Sequence, residues 1–452
     1  MMRRLSMCVL CLALALSLAL PAWAAPPQET NSFLIRINGA IPANLASQVS
    51  AAGGTLVRVL PEIGYATAVS NDEGFAAKLK KNSVIQDVDR DLEAQWIPAP
   101  EGLRTAQAPQ ASIQAVGDPE NSFFYSCLWH LPKINAPAAW AQGVLGDPGV
   151  KVAVLDTGVD PFHQDLAGKI DGASASMLTP GSSPCGAFDE ETIYDLHYHG
   201  SFVSGLITTN NLASTGIAPL TRIVGVKVLN CNGRGSFGEI IAGILYASNL
   251  PDVAVINMSL SIGFNKNLPG AGPLVAAMNK AVNYAESQGK LVVSAAGNAG
   301  TDMDHDGNFI RVPAQSGSGI AAYASTNLDG LASYSNHGVS GTWVGAPGGD
   351  FPNTAAPLPG CLLGDDLEGL IASVCSSFVC GGNNFYTVDN GTSFAAPLVA
   401  GVAALVDGKH GGALNAGQLK TILKDTADDL GAPGTDNLFS HGRVNAGNAA
   451  DQ

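Results

Sequence analysis

The sequence predicts an α/β protein: a doubly wound, mostly parallel sheet preceded by a small ferredoxin-like α+β unit. Three observations lead there. From Asp118 onward, short β-branched runs alternate with small-residue helical stretches, the pattern of strands buried on both faces and covered by helices. Between Asn31 and Glu93 the patterns follow the order β-α-β-β-α-β, which is a compact ferredoxin-like unit. Residues 94–117, between the two, are rich in Pro, Ala and Gln, the composition of an exposed linker open to proteolysis.

The chain begins with Arg3 and Arg4, an apolar stretch from Leu5 to Leu20, and Ala22-Trp23-Ala24. Residues 1–24 therefore read as a secretory signal with a small-x-small cleavage site, and export beyond the cell or into a periplasm is expected. The stretch is short for a bilayer span, so no membrane contact is expected of the mature form. Loss of the signal removes Cys8 and Cys11 and leaves Cys127, Cys185, Cys231, Cys361, Cys375 and Cys380. An even count in an exported chain predicts disulfides, with the pairing open. Cys361, Cys375 and Cys380 are close enough in sequence to staple one long loop. A zinc site is disfavoured because the mature part has no C-x-x-C pair.

Within residues 31–93, Phe33 to Ile37, Thr55 to Leu60, Tyr65 to Val69 and Val84 to Val88 read as strands. Pro42 to Ala52 and Glu73 to Lys81 read as helices between them. In residues 118–452 the doubly buried strands are Lys151 to Leu155, Arg222 to Leu229, Val253 to Met258 and Leu291 to Ser294. Phe237 to Ser248 and Pro273 to Gln288 carry helical spacing. In such sheets the working groups gather at the carboxyl ends of the strands. The chain is long and apolar enough to bury a sizeable core, with 452 residues, 46% apolar and 13% charged. The charge is one-sided: residues 1–117 hold 9 basic and 9 acidic side chains, and the remainder 14 against 29. A surface of that sign argues against nucleic acid as a partner. Nothing indicates an oligomer, so a monomer is expected.

Four residues carry the chemistry. Asp156 follows the strand directly in Leu155-Asp156-Thr157-Gly158, so its carboxylate emerges at a strand end, where it can orient an imidazole. His199 opens His199-Gly200-Ser201-Phe202-Val203-Ser204-Gly205, whose small residues let a helix pack close to other backbone. His197 competes for the role, but only His199 begins the small-residue helix. Ser393 lies in Asn390-Gly391-Thr392-Ser393-Phe394-Ala395, a glycine turn leading into an apolar helix. There the backbone N–H groups and the helix dipole favour a developing oxyanion. Ala395 replaces the second glycine of a G-x-S-x-G elbow, which weighs against an α/β-hydrolase esterase. Asn298 closes Ser294-Ala295-Ala296-Gly297-Asn298, and its amide can donate to the same oxyanion.

Taken singly, Asp156, Ser393 and Asn298 are as well read as caps or turn formers, and His199 as an ordinary surface or core histidine. Together, in the order Asp, His, Ser with these surrounding words, they resemble the subtilisin-like serine proteases, from about Trp129 to Ala446. The resemblance implies a sheet of the subtilisin type and serine endopeptidase activity on protein or peptide substrates, with no cofactor for the chemistry. It makes Asp156, His199 and Ser393 the triad and Asn298 the oxyanion residue. The unit at 31–93 resembles the family's propeptide, an intramolecular inhibitor and chaperone, with the processing site in 94–117. Ser259, Leu260, Ser261, Ala295, Ala296 and Gly297 would line the substrate cleft, and Gly233 and Gly235 its facing edge. Phe202 and Leu398 depart from histidines frequent in the family but lie outside the triad. Ser261 departs from its usual glycine and would add a side chain near the primary specificity pocket, so the family's common taste for large apolar residues does not carry over.

Asp302, Asp304 and Asp306 before Gly307 resemble the first half of a calcium loop. Pro313 stands where the bidentate acid belongs. A structural calcium and a solvated acidic loop are the two readings. Two other function classes would leave different marks on the sequence. A protease-like binding protein without turnover would lack a triad member, and none is missing. A serine esterase would not need a peptide cleft or an inhibitory unit.

Overall fold

The computed structural model describes residues 28–99, 103–111, 117–341, 343–350, 361 and 369–452; the signal expected at 1–24 lies outside them. The N-terminal unit comprises β1 Gln28–Ile37, helix Leu45–Ala51, β2 Thr55–Leu60, β3 Tyr65–Val69, helix Phe75–Leu79 and β4 Ile85–Gln95. Its strands lie in the order β2-β3-β1-β4 and pair antiparallel. The expected β-α-β-β-α-β order is present. Phe33, Ile35, Val49, Phe75, Leu79 and Val88 fill its own small core between sheet and helices, as alternate strand positions and one helix face dictate.

The rest of the chain adds β5 Thr105–Gln107, β6 Lys151–Asp156, β7 Ala175–Ser176, β8 Arg222–Lys227, β9 Arg234–Ser236, β10 Val253–Met258, β11 Ile262–Asn265, β12 Leu291–Ala295 and β13 Phe309–Val312. β14 Ile320–Ser325, β15 Val344–Pro347, β16 Ile371–Val374 and β17 Phe385–Asp389 complete the strands. Seven of them form one sheet in the order β15-β14-β12-β10-β6-β8-β7, parallel at every pairing. Its two faces are covered separately. Val152 and Val154 of β6 join the core beneath helices His199–Ile207 and Thr392–Lys409. Ala153 and Leu155, pointing the other way, join the core beneath helices Phe237–Ser248 and Ala271–Ser287. That alternation on a wholly apolar strand is why the run reads as doubly buried. None of the described helices is long and apolar enough to cross a membrane.

Disulfides join Cys127 to Cys361, Cys185 to Cys231 and Cys375 to Cys380. Cys361 is therefore tied to the distant Cys127 rather than stapling its own neighbourhood.

The described residues of the stretch expected to be an exposed linker are woven into both parts. β4 continues to Gln95 and pairs antiparallel with β9, while β5 pairs antiparallel with β17. Trp96 and Ile97, 4% and 2% exposed, sit in the apolar cluster that holds Leu260 and Phe237. Two large apolar side chains with an apolar pocket in reach outweigh the polar composition around them.

Candidate active site

β6, β10 and β12 are neighbours in the sheet, and the segments leaving their carboxyl ends meet at one place. Asp156 ends β6 and is 0% exposed. Its Oδ1 accepts the Thr157 N–H at 2.8 Å, and its two oxygens lie 2.9 and 3.1 Å from His199 Nδ1. A carboxylate only accepts, so Nδ1 carries the hydrogen and Nε2 of the neutral ring keeps its lone pair. The loop ahead of His199 is fixed by Asp195, which accepts the N–H groups of His197, Tyr198 and Ser201 at 3.0, 2.9 and 2.8 Å.

Burial is the largest influence on the His199 imidazole and pulls its pKa down. The charge and hydrogen bond of Asp156, with smaller attraction from Asp389 and Asp195, outweigh it, and the pKa lies above the ordinary histidine value. His197 goes the other way: burial and the neighbouring His199 hold it down to about 4. Its Nε2 lies 2.9 Å from the Pro98 carbonyl oxygen, so the competing histidine is spent on the chain crossing the cleft.

Gly200 lets this helix start so close to β6. A Cβ there would overlap the carbonyl oxygen of Gly158, and the Gly200 N–H donates to Thr157 Oγ1 at 3.0 Å. Gly200→Ala is therefore expected to lower the melting temperature, since overpacking costs about 1–3 kcal/mol. By shifting His199 it should also cut kcat about a hundredfold. Thermal unfolding and hydrolysis of a peptide, the substrate class that the sequence resemblance implies, check both on the same preparation, and an unchanged kcat would show that the contact does not set the histidine.

Ser393 is the second residue of helix Thr392–Lys409. Its hydroxyl donates to the Ser259 carbonyl oxygen at 3.0 Å, and its own N–H is among those left free at the helix start. Asn298 Oδ1 accepts the Thr392 N–H at 3.0 Å and the Thr392 hydroxyl at 2.7 Å. With the oxygen so held, the amide nitrogen is the end free to donate. His199, Asn298 and Ser393 line one cavity of about 510 Å³, with Tyr198, Asp389 and Phe394 in its wall.

The chain's own segment lies along this cavity. Gly233 accepts the Trp96 N–H at 3.1 Å and Gly235 the indole N–H at 2.8 Å. Pro98, Ala99, Leu103 and Arg104 all line the cavity. Downstream, the Thr387 hydroxyl donates to the Arg104 carbonyl oxygen at 2.9 Å. Ser259 and Leu260 are buried and are not among the residues lining the cavity. Ser261 carries a buried hydroxyl with no hydrogen-bond partner, beside Gly297. Ala295, Ala296 and Gly297 are pinned from behind. Ala296 and Gly297 donate to the Ala322 carbonyl and to Thr392 Oγ1, both at 3.0 Å.

The calcium ligands proposed from sequence are not brought together. Asp302 bonds His305 and Asn437, Asp304 caps Val339 and Ser340, and Asp306 pairs with Arg311 at 2.6 Å. Protein donors occupy each carboxylate. Among the described residues only Cys185, Asp189 and Cys231 cluster closely enough to suggest a metal, and both cysteines are in a disulfide.

Two site residues escaped sequence reasoning. Tyr198 stands at φ 99°, a backbone that costs a non-glycine residue about 1–3 kcal/mol. Asp389 ends β17 and bonds the Tyr198 hydroxyl at 2.7 Å. Neither has a local signal.

The model of the subtilase family matches residues 147–442. Subtilisin BL from Lederbergia lenta is 34% identical over 71% of this chain and 97% of its own length. Alkaline elastase YaB from Bacillus sp. (strain YaB) is 33% identical over 81% of this chain and 83% of its own. The crystal structure of an epidermin leader peptide processing serine protease from Staphylococcus aureus superposes with a TM-score of 0.73. It covers 94% of this chain and 98% of that one at 21% identity, a likeness of fold alone.

Proposed function

Because the chain belongs to the subtilase family and is a subtilisin-like serine endopeptidase, we propose that it is a secreted, self-processed proenzyme that cuts peptide bonds through an acyl-enzyme on Ser393. The observation that carries this reading is the chain's own backbone laid along the cavity, paired with β9 on one side and with β17 on the other. Backbone paired with a strand before the cavity and with another after it is the posture of a substrate.

In the mechanism, Ser393 turns from the Ser259 carbonyl to give its proton to His199 Nε2 and attacks the carbonyl carbon. Asp156 holds the ring and stabilises the imidazolium. The negative oxygen is met by the Asn298 amide and the Ser393 N–H at the helix start. His199 protonates the leaving amine, and water activated by the same ring frees Ser393. These groups supply nucleophile, base and oxyanion donors, so no cofactor is required. Residues 31–93 act as the inhibitory prodomain. Export is supported by the signal-like start and by three disulfides, which persist in oxidising compartments.

The test joins a serine-directed fluorophosphonate with intact-mass analysis of chain expressed in an oxidising compartment. The reagent is expected to modify Ser393, and the processed protein to begin between Ala99 and Arg104. Unlabelled, unprocessed protein that leaves casein intact would sink the reading and favour a silent binding protein.

The prodomain's grip should depend on pH. Asp91 accepts the Gly238 N–H at the start of helix Phe237–Ser248, a position that favours negative charge. Burial outweighs this and, with nearby Glu239, pushes the Asp91 carboxyl up to about 7. Below the ordinary value of 3.8 the carboxyl is protonated docked or free, and docking is strongest. As pH rises toward about 7 the freed carboxylate must take up a proton to dock, and affinity falls. Between about pH 5 and pH 8 the loss is expected to be on the order of tenfold or more. The fraction of prodomain co-eluting with processed enzyme measures it, and Asp91→Asn should flatten the dependence.

A further inference from the structure

Tyr198 and Asp389 both line the cavity, yet the acyl transfer described above uses neither. Tyr198 precedes His199 and holds φ 99°, a backbone region that glycine enters freely and a tyrosine rarely adopts. The local chain does not ask for a tyrosine there, so a tertiary contact must hold it. Beside the Asp195 carboxylate that accepts the Tyr198 N–H at 2.9 Å, the phenol supplies such a contact, donating to Asp389 Oδ2 at 2.7 Å. The other oxygen, Oδ1, accepts the Asn390 N–H at 2.7 Å. Asn390 and Gly391 lead straight into the helix that carries Ser393.

One hydrogen bond therefore ties the residue before the base to the turn before the nucleophile. It spans 191 positions of sequence. We propose that Tyr198 and Asp389 are a positioning pair that fixes His199 against Ser393 and adds a second carboxylate to the histidine's surroundings. The proposal rests on the catalytic reading given above.

The charged and titratable groups facing His199 come from three places. Asp156 stands on β6, His197 and Asp195 in the loop ahead of the helix, and Asp389 on β17. Asp389 raises the histidine's affinity for a proton, as Asp156 does more strongly. Burial itself holds the Asp389 carboxyl above the ordinary range, against the pull of Tyr198, Asn390 and His199. The rings keep a compact arrangement around this bond: Tyr198 lies edge-on to His199 at 6.2 Å, and Phe394 lies 5.5 Å from His199 on the other element.

The test uses the full chain as wild type, Tyr198→Phe, Tyr198→Gly and Asp389→Asn. Active enzyme is counted by burst titration with a serine-directed sulfonyl fluoride, so incomplete processing does not enter the rates. Per active site, Tyr198→Phe is expected to lower kcat about tenfold with KM changed less than about twofold. Tyr198→Gly relieves the backbone but empties a buried ring site of the main core, so thermal unfolding is measured beside it. Per active site it should lose at least as much kcat as Tyr198→Phe, which keeps the ring and isolates the hydroxyl. Asp389→Asn should move the acid limb of kcat/KM to lower pH, because it removes a charge that favours the imidazolium. Wild-type kcat in both Tyr198 variants with an unmoved acid limb in Asp389→Asn overturns the pair while the protease reading stands. A wild type that the reagent fails to label overturns that reading, and the pair with it.

Discussion

Ser393→Ala is expected to lower kcat/KM for peptide hydrolysis by about a millionfold, the scale on which subtilisin loses activity without its own serine, and to leave the chain at full length. The fold has little reason to notice the change. Helix Thr392–Lys409 keeps its start, because the Thr392 hydroxyl and N–H, not Ser393, tie it to Asn298. The substitution removes one hydrogen bond, to the Ser259 carbonyl oxygen, worth about 1 kcal/mol. The peptide edges at β9 and β17 are untouched, so binding should survive while chemistry is lost. His199→Ala should cost about as much, and the double variant little more, since nucleophile and base act as one unit. Hydrolysis of a fluorogenic peptide together with intact mass decides the matter. A Ser393→Ala protein that still trims itself, or keeps more than about a thousandth of the rate, would remove Ser393 from the mechanism.

How far the sequence discloses this site depends on whether the signal is local. Asp156, His199 and Asn298 each stand where a doubly buried strand or a small-residue helix meets a glycine turn, and chain order alone places such residues at the carboxyl edge of a parallel sheet. The alternation of Val152 and Val154 with Ala153 and Leu155 between two cores is likewise written into one short run. β14 and β15 are not, because Ile-Ala-Ala-Tyr-Ala-Ser and Val-Gly-Ala-Pro have weak strand preference and become strands only by pairing with β12 and with each other. The stretch after Glu93 reads as linker because its partners are remote. Trp96 meets Gly235 across 139 residues, and no composition discloses that. The same distance hides the Tyr198–Asp389 bond and the Cys127–Cys361 pairing, which closes 234 residues. At Asp302, Asp304 and Asp306 the local spacing suggested convergence, but Arg311, Ser340 and Asn437 approach from elsewhere and draw the carboxylates apart.

Asn298→Ala is expected to lower kcat by about a hundredfold to a thousandfold while KM changes little. The asymmetry follows from when the interaction is made. The substrate carbonyl carries only a partial charge and gains little from the Asn298 amide, whereas the tetrahedral oxygen carries a full one. The amide contributes only if its nitrogen faces that oxygen, and Thr392 enforces this by giving both its N–H and its hydroxyl to Oδ1. Thr392→Val keeps the shape but removes the hydroxyl donor, so the amide is less firmly held and an intermediate loss of kcat should follow. Asn298→Asp is the sharpest variant. It is nearly isosteric, yet it places a carboxylate where negative charge develops, and its kcat should fall below that of the alanine variant. The three variants, read as kcat and KM per active site, rank the donor, its orientation and its charge. A rise in KM at constant kcat would mean that Asn298 only binds the ground state, and the oxyanion would then have to rest on the Ser393 N–H alone.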